Sequence, residues 1–391
     1  MIKIINSFMG RYCIIMALSF DQNGLTVENS DIKFVMEIID GMYDWVRVLD
    51  RNSNIIFLNK AMAEALNCYG SGKKCHEVIG RELPCENCIS RKAVFNGYPH
   101  EKEEVINGRI FSVMSSPVRS QNGEIIAVVE VLRDVTQMKL LQQKIVEQNR
   151  SLQDNLEMAK KLQFSLLPDE FYDNRIDFSY LYKPCDILGG DFLDIFVIDK
   201  DHIGVYVADV SGHGVAASML TVFLHSSINR ELLSPASALD ELYKKFNYSN
   251  LGNDMYITVF YAIINLKDRE MVYSNAGHNV SPIVFGKNRF ELLRVPGVPI
   301  SNWINRPSYI DMNIILNPKD RLFFYTDGLI ELKNSEDEQF GEERLLNILL
   351  NDTSKPDVTL NNIFRAASKF AAPKNPLQLA DDITMALLEI K

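Results

Sequence analysis

The stretch from Asp134 to Pro168 constrains this chain most, because it contains no glycine and no proline before Pro168 itself. Met138, Leu141, Ile145 and Leu152 follow a three–four apolar spacing, with Gln148 filling one seam position. Leu156, Leu162, Leu166 and Leu167 continue the stripe after a phase shift. The spacing predicts one long helix. It reads either as a two-stranded coiled coil with a stutter, making the chain a homodimer, or as a single amphipathic helix lying on a domain. In both cases it separates two regions of different pattern. The 391 residues leave room for two or three domains at about 150 residues each.

Ahead of this connector the pattern is mixed. Asp31–Met42 has helical periodicity, Trp45–Asp50 and Asn54–Asn59 read as short strands, and Ala61–Leu66 as a short helix. Glu103–Ile106, Arg109–Ser115 and Glu124–Arg133 read as three antiparallel strands, with Asn107-Gly108 and Gln121-Asn-Gly123 as their turns. Behind the connector, strands are expected at Ile203–Ala208, Tyr256–Asn265, Glu270–Ser274, Arg321–Tyr325 and Ile383–Ile390. Helices are expected at Val215–Leu232, Ala236–Phe246, Glu342–Leu350 and Leu360–Phe370. Antiparallel strands with segregated helices give an α+β class. The expected boundaries are an N-terminal extension at 1–30, a sensor-like domain at 31–136, a helical linker at 137–170 and a C-terminal domain at 171–391.

Composition narrows the partners. Hydrophobic residues make up 47% and charged residues 24%, which excludes a wholly disordered chain. The net charge of −10 argues against nucleic acid or an anionic membrane surface as the main partner. No stretch reaches the roughly 18–20 apolar residues of a membrane span. Tyr12–Phe20 is too short for one, and no small-residue cleavage site follows it, although Lys3 and Arg11 precede it as in a secretory signal. The expectation is a cytoplasmic chain.

The acidic residues of the C-terminal region carry the chemistry. They stand in Gly189-Gly-Asp-Phe-Leu-Asp194, Ala208-Asp-Val-Ser-Gly-His-Gly214, Tyr325-Thr-Asp-Gly328 and Asp381-Asp-Ile-Thr384. Asp209, Asp327 and the Asp381-Asp382 pair each adjoin an expected strand. A strand end gives a carboxylate a rigid support, and glycine lets backbone carbonyls and water approach. Such oxygen donors suit Mg²⁺ or Mn²⁺, and a pair of these ions clamps a phosphoryl group. Each Asp-Gly taken singly is equally ordinary turn chemistry.

Residues from about Ala159 to Lys391 resemble the bacterial SpoIIE-type serine phosphatases, a branch of the metal-dependent protein phosphatase 2C-like family. The words that carry the resemblance are those four, with Ala159-Lys-Lys-Leu-Gln-Phe-Ser-Leu-Leu-Pro168, Asn275-Ala-Gly-His-Asn279 and Phe340-Gly-Glu-Glu-Arg344. The resemblance implies a central β-sandwich flanked by helices and a binuclear Mn²⁺ or Mg²⁺ centre. It implies Asp191 and Asp209 as catalytic metal ligands, the Val210 carbonyl as a further ligand, and Asp327 with Asp381 completing the second position. Asp382 is the alternative to Asp381. Asp194 would act through water. His213 would contact phosphate or the leaving group, or else be a structural turn residue, and His278 would shape the site from behind. The implied substrate is a phosphorylated regulatory protein, such as a STAS-type anti-sigma-factor antagonist. Cys185 lacks the arginine and phosphate loop of cysteine-phosphatase chemistry and reads as a core thiol. The alternatives from other classes are a catalytically silent scaffold and a metal- or redox-sensing interaction protein.

Residues of about Asp31–Thr136 resemble a PAS domain, on Asp44-Trp-Val-Arg-Val-Leu-Asp50, Asn54-Ile-Ile-Phe-Leu-Asn59 and the exit Asp134-Val-Thr136. Cys68, Cys75, Cys85 and Cys88 interrupt it. A Cys-x2-Cys pair with two further thiols suits Zn²⁺, an iron–sulfur cluster or a redox dithiol. Reduced thiols beside a loop remain the plain alternative.

Overall fold

The computed structural model describes residues 29–69, 72–168, 171–212, 214–249, 254–287, 289–371 and 379–391. The chain divides into two compact units, Met1–Arg150 and Ser151–Lys391. Of the expected extension 1–30, only the last two residues are described, and they begin the helix Asn29–Asp40.

In the first unit, strands β1 (Trp45–Asp50), β2 (Ile55–Leu58), β3 (His100–Ile106), β4 (Arg109–Arg119) and β5 (Ile125–Asp134) form one antiparallel sheet in the order β2-β1-β5-β4-β3. The β3–β4 hairpin turns on Asn107 and Gly108, both at positive φ (50° and 76°), the mirror-image turn that Asn-Gly favours. Trp45, Phe111, Val113 and Leu132 of the sheet bury against Met62, Ile79 and Ile89 of the intervening segments. Buried Asn59 ties these parts together. Its Oδ1 accepts from the Val46 and Met62 amides, and its Nδ2 donates to the Ile39 and Asp44 carbonyls. Two short helices, Cys75–Val78 and Ile89–Asn96, lie where the sequence reading placed none. Four and eight residues are too few for the apolar period to declare itself.

At the exit, the Asp134 carboxylate accepts from the amide and the hydroxyl of Thr136 (3.0 and 2.6 Å). These bonds hold Asp134 below its ordinary carboxylate range and open the helix Thr136–Phe164. Met138, Leu141, Ile145, Leu152 and Leu162 of the apolar stripe are exposed on it. The predicted helix is therefore observed.

In the second unit, β7 (Phe192–Val197), β8 (His202–Val210), β9 (Tyr256–Asn265), β10 (Glu270–Ala276) and β14 (Met312–Ile315) form a sheet in the order β14-β10-β9-β8-β7, with β13 (Ile300–Ser301) beside β9. The second sheet runs β12-β11-β15-β16-β6, from β6 (Ile176–Lys183), β11 (Ile283–Gly286), β12 (Arg289–Leu292), β15 (Arg321–Tyr325) and β16 (Ile383–Ile390). All pairings are antiparallel. Strand alternation sorts the side chains into layers. Leu193, Val205, Val207, Phe260 and Ala262 of the first sheet meet Leu322, Phe324, Ala386 and Leu388 of the second, filling the space between them. Phe192, Tyr206 and Tyr261 face the other way, against Leu220 and Leu224 of helix Val215–Ser227 and Leu239, Leu242 and Phe246 of helix Pro235–Ser249. Phe323, Tyr325 and Met385 bury against helices Gly341–Asn351 and Pro356–Ala371. The result is the expected sandwich of two sheets with helices on both outer faces. Helix Val215–Ser227 stops five residues before its predicted end at Leu232.

Candidate metal centre

The acidic motifs meet along one edge of the sandwich, and three glycines allow it. At Gly328 a side chain would strike the Asp382 carbonyl, and at Gly189 it would strike the Tyr182 hydroxyl and the Asp382 carboxylate. At Gly190 it would lie 2.8 Å from the Val210 carbonyl and 2.9 Å from that of Gly212. Only residues without a Cβ let these backbones and carboxylates approach so closely.

Asp191 is buried directly ahead of β7, and its Oδ2 accepts from the hydroxyls of Thr326 (2.7 Å) and Thr384 (2.6 Å). Thr326 closes β15 and Thr384 lies in β16, so this carboxylate is clamped by the opposite sheet. Asp382 is also buried. Its Oδ1 accepts from the Cys185 amide (2.7 Å) and its Oδ2 from the amides of Gly190 (2.5 Å) and Asp191 (3.2 Å). Asp382 thus braces the 185–191 loop with both oxygens. Asp381 is exposed and accepts from the Asp382 amide. Asp327 accepts from the Asn279 side-chain amide at its Oδ2. Asp209 lies in β8 opposite Thr258, whose hydroxyl donates to the Asp209 carbonyl (3.0 Å).

The electrostatics are one-signed. Burial, and then the charges of Asp209 and Asp382, push the Asp191 carboxyl well above its ordinary range. Burial with Asp327, Asp381 and Asp382 pushes Asp209 up to about 7. Asp381 is raised by burial and by Asp327, Asp382 and Glu331. No cation figures among the groups that act on Asp191, Asp209 or Asp381. Among the described residues, no three carboxylate, imidazole or thiol groups stand at metal-ligating spacing. The donor set, carboxylates and two carbonyls in a glycine-cleared cradle, is the one that hard divalent cations take.

Several residues fall elsewhere. Asp194 does not join the cluster. It faces the helix layer, where its Oδ2 accepts from Arg230 (2.6 Å), so the strand alternation that sends Leu193 inward sends Asp194 away. His213 lies outside the described residues. Buried His278 donates from Nε2 to the Tyr325 carbonyl (2.9 Å), and its burial holds it neutral-favouring, below the usual imidazole range. It therefore sets the strand end that carries Asp327. Cys185 is half-buried, and burial with the neighbouring Asp382 pushes its thiol up to about 12, so it stays protonated at neutral pH. The sequence reading named no role for the clamping hydroxyls of Thr326 and Thr384, for Asn279, or for buried Gln163. Gln163 donates to the Gly189 carbonyl (2.7 Å) and accepts from the Gly189 amide (3.3 Å). Each of these residues belongs to a quoted motif, which was the available signal.

Comparison with known proteins agrees with this geometry. Residues 199–391 match the family model described as Stage II sporulation protein E (SpoIIE). The C-terminal unit is a SpoIIE-family domain. Its first motif, at 189–194, lies upstream of the matched segment and is joined to the site only by the fold. Residues 39–140 match a PAS fold. The chain is 27% identical over 183 residues to the phosphoserine phosphatase RsbP of Bacillus subtilis, covering 45% of this chain and 45% of that protein. It therefore spans less than half of that relative. It is 25% identical over 333 residues to the phosphoserine phosphatase RsbU of Bacillus subtilis, covering 83% of this chain and 92% of that protein. Among solved structures, the SiaA-PP2C domain of Pseudomonas aeruginosa superposes with a TM-score of 0.55 at 18% identity, over 62% of this chain and 98% of that one. The SpoIIE-family domain therefore has the PP2C-like fold. No described helix is long and apolar enough to cross a membrane.

The PAS cysteines divide. Cys75, Cys85 and Cys88 line one cavity, whereas Cys68 is buried beyond the helix Lys60–Ala65 and is not part of its wall. A closed four-thiolate site for Zn²⁺ or an iron–sulfur cluster thus finds no support in this fold.

Proposed function

We propose that the chain is a metal-dependent phosphoprotein phosphatase that removes phosphate from serine or threonine of a regulatory protein. The observation that carries this reading is the cluster of buried Asp191, half-buried Asp209 and Asp327 and exposed Asp381, carboxylates of one sign with no cation among the groups that act on Asp191, Asp209 or Asp381. Asp191, Asp209, the Val210 carbonyl, Asp327 and Asp381 would hold two Mn²⁺ or Mg²⁺ ions. Asp382 keeps the glycine loop in place through its three backbone bonds. When bound, such ions lower the pKa of water and neutralise charge on the transferring phosphoryl group. The protein's share is positioning. Thr326 and Thr384 fix the rotamer of Asp191, His278 fixes the strand end before Asp327, and Asn279 orients the Asp327 carboxylate. Cys185 contributes no nucleophile, since its proton is held.

The relatives named phosphoserine phosphatases support the reaction class, and the PAS fold ahead of the domain supports control by a sensed signal. A STAS-type anti-sigma-factor antagonist is the substrate class this reading favours. The exposed stripe of helix Thr136–Phe164 suits pairing with a second copy, giving a cytoplasmic homodimer. The test is Mn²⁺- or Mg²⁺-dependent release of phosphate from a phosphoserine-bearing protein by the full chain. Asp209→Asn should abolish it. Hydrolysis that ignores both chelator and this substitution would overturn the reading.

A further inference from the structure

The cysteine-lined cavity of the PAS unit is too small for an organic ligand. Its volume is about 20 Å³, room for one water-sized group. Its wall carries Arg47, Cys75, Cys85, Cys88, Lys102 and Glu104. As it stands, the cavity admits only a very small molecule, in contact with the wall itself.

The three thiols differ in setting. Cys75 is buried, and that burial pushes its thiol above the ordinary range. Cys85 is half-exposed, its sulfur accepts from the Arg81 guanidinium (Nη1, 3.5 Å), and the Lys102 ammonium shares its cavity wall. Glu104 bridges those same two cations and holds them in place. Cys88, also half-exposed, is the N-cap of the eight-residue helix Ile89–Asn96. Two cations thus stand at the Cys85 sulfur, and Cys88 follows three residues on in the same cavity wall. The charges of the wall itself, Arg47 and Lys102 with Glu104 and Glu130, are paired, so the guanidinium of Arg81 reaches the Cys85 sulfur from outside the wall.

From this geometry we infer that Cys85 and Cys88 form a reversible dithiol–disulfide couple that reacts with a peroxide-sized oxidant. The Cys85 thiolate attacks one oxygen of hydrogen peroxide, the O–O bond breaks, and hydroxide leaves to take up a proton as water. Cys85 is then a sulfenic acid. The Cys88 thiolate attacks that sulfur, the S–O bond breaks, and the hydroxide released takes up the proton given up by the Cys88 thiol and leaves as a second water. Two thiols lose two electrons to one peroxide, and a dithiol reductant reverses the change. The product has a path to the domain's exit. Ser90, two residues past Cys88, donates to buried Glu130 of β5, and β5 ends at the Asp134 cap that opens the helix Thr136–Phe164.

The test uses the full chain and reads thiol chemistry, so it stands or falls apart from phosphatase activity. Dilute hydrogen peroxide should remove two hydrogens from the peptide spanning Cys85 and Cys88, roughly ten-fold faster than it modifies Cys68 or Cys75. Dithiothreitol should restore it. In Cys88→Ser, dimedone should label Cys85, and Cys85→Ser should leave Cys88 unlabelled on the same timescale. Equal reaction of all the thiols, a first disulfide that includes Cys75, or one tightly held zinc per chain that protects Cys85 and Cys88 would each overturn the inference.

Discussion

Each unit buries charge, and the two do it in opposite ways. In the PAS unit, Glu130 is fully buried against Arg47 (2.6 Å), which also donates to the Cys75 carbonyl (3.0 Å). Burial alone would raise Glu130, but Arg47 and Ser90 outweigh it and hold the carboxyl below its ordinary value. In the SpoIIE-family unit, equally buried Asp191 meets other carboxylates and is driven far up. Desolvation is common to both, so the sign of the neighbours decides the outcome. One cluster has its counter-charge within the chain, and the other, on the proposed reading, takes its counter-charge from bound cations.

The largest test of that contrast is Asp209→Asn. Removing one charge from an unbalanced cluster should cut metal-dependent hydrolysis by roughly three orders of magnitude or more, yet raise the thermal midpoint of the chain in chelator. Activity assays and thermal melts on the same preparation read both. If the variant is less stable than wild type without metal, the cluster is not under like-charge strain.

The mirror experiment is Glu130→Ala. Here it should destabilise, because Arg47 is left buried and unpaired, at a cost of about 3–5 kcal/mol. Hydrogen exchange of the β1 and β5 amides reports it locally. The double change Arg47→Met with Glu130→Leu should recover much of the loss. Similar exchange in the single and double variants would show that the pair adds nothing through its charges.

This contrast was half legible in the sequence. The like-charged cluster could be read because its aspartates sit in glycine-bearing words beside strong strand patterns, as at Asp209 and Asp327. Tyr256–Asn265, Arg321–Tyr325 and Ile383–Ile390 are observed at their predicted bounds. Strands β6 and β7 were not, since Phe192–Val197 is buried almost throughout and offers no polar alternation except Asp194. The Arg47–Glu130 pair was illegible, because its partners stand 83 residues apart on strands whose register only the folded sheet supplies. The same limit hid the bond from Thr326 to Asp191, 135 residues away. Sequence also grouped Cys68 with Cys85 and Cys88 by proximity, and the fold separates them.

A smaller effect follows from pH. Burial and the neighbouring carboxylates push Asp209 up to about 7 in the fold, against about 3.9 for a free aspartate. The folded state then binds the extra proton, so cation-free stability is highest below about pH 4 on this account and is lost as pH rises towards 7. Melts of the chelated chain should move down between about pH 5 and pH 8, and Mn²⁺ should flatten or reverse the slope. The Glu130 carboxyl, held low, adds nothing over that range. A slope unaffected by Mn²⁺ would place its origin outside the cluster.

The smallest effect tests how the cradle is kept open. Gln163 is buried in the last turn of helix Thr136–Phe164 and bonds to both the carbonyl and the amide of Gly189, with a further bond to the Thr221 hydroxyl (3.1 Å). Gly189 in turn abuts the Asp382 carboxylate that braces the loop. Gln163→Ala removes no metal donor and no charge, so the cluster keeps its imbalance. It does free the backbone of Gly189, and losing buried hydrogen-bond partners costs about 1–3 kcal/mol. Part of that cost should appear as a several-fold rise in the Mn²⁺ concentration giving half-maximal activity, with the rate at saturating metal little changed. Gln163→Glu adds a negative charge beside the cluster and should raise that concentration further still. If instead the saturated rate collapses while metal affinity holds, Gln163 positions something other than the cation-binding loop, and the division between a self-complete and a cation-dependent cluster would need redrawing at its connecting helix.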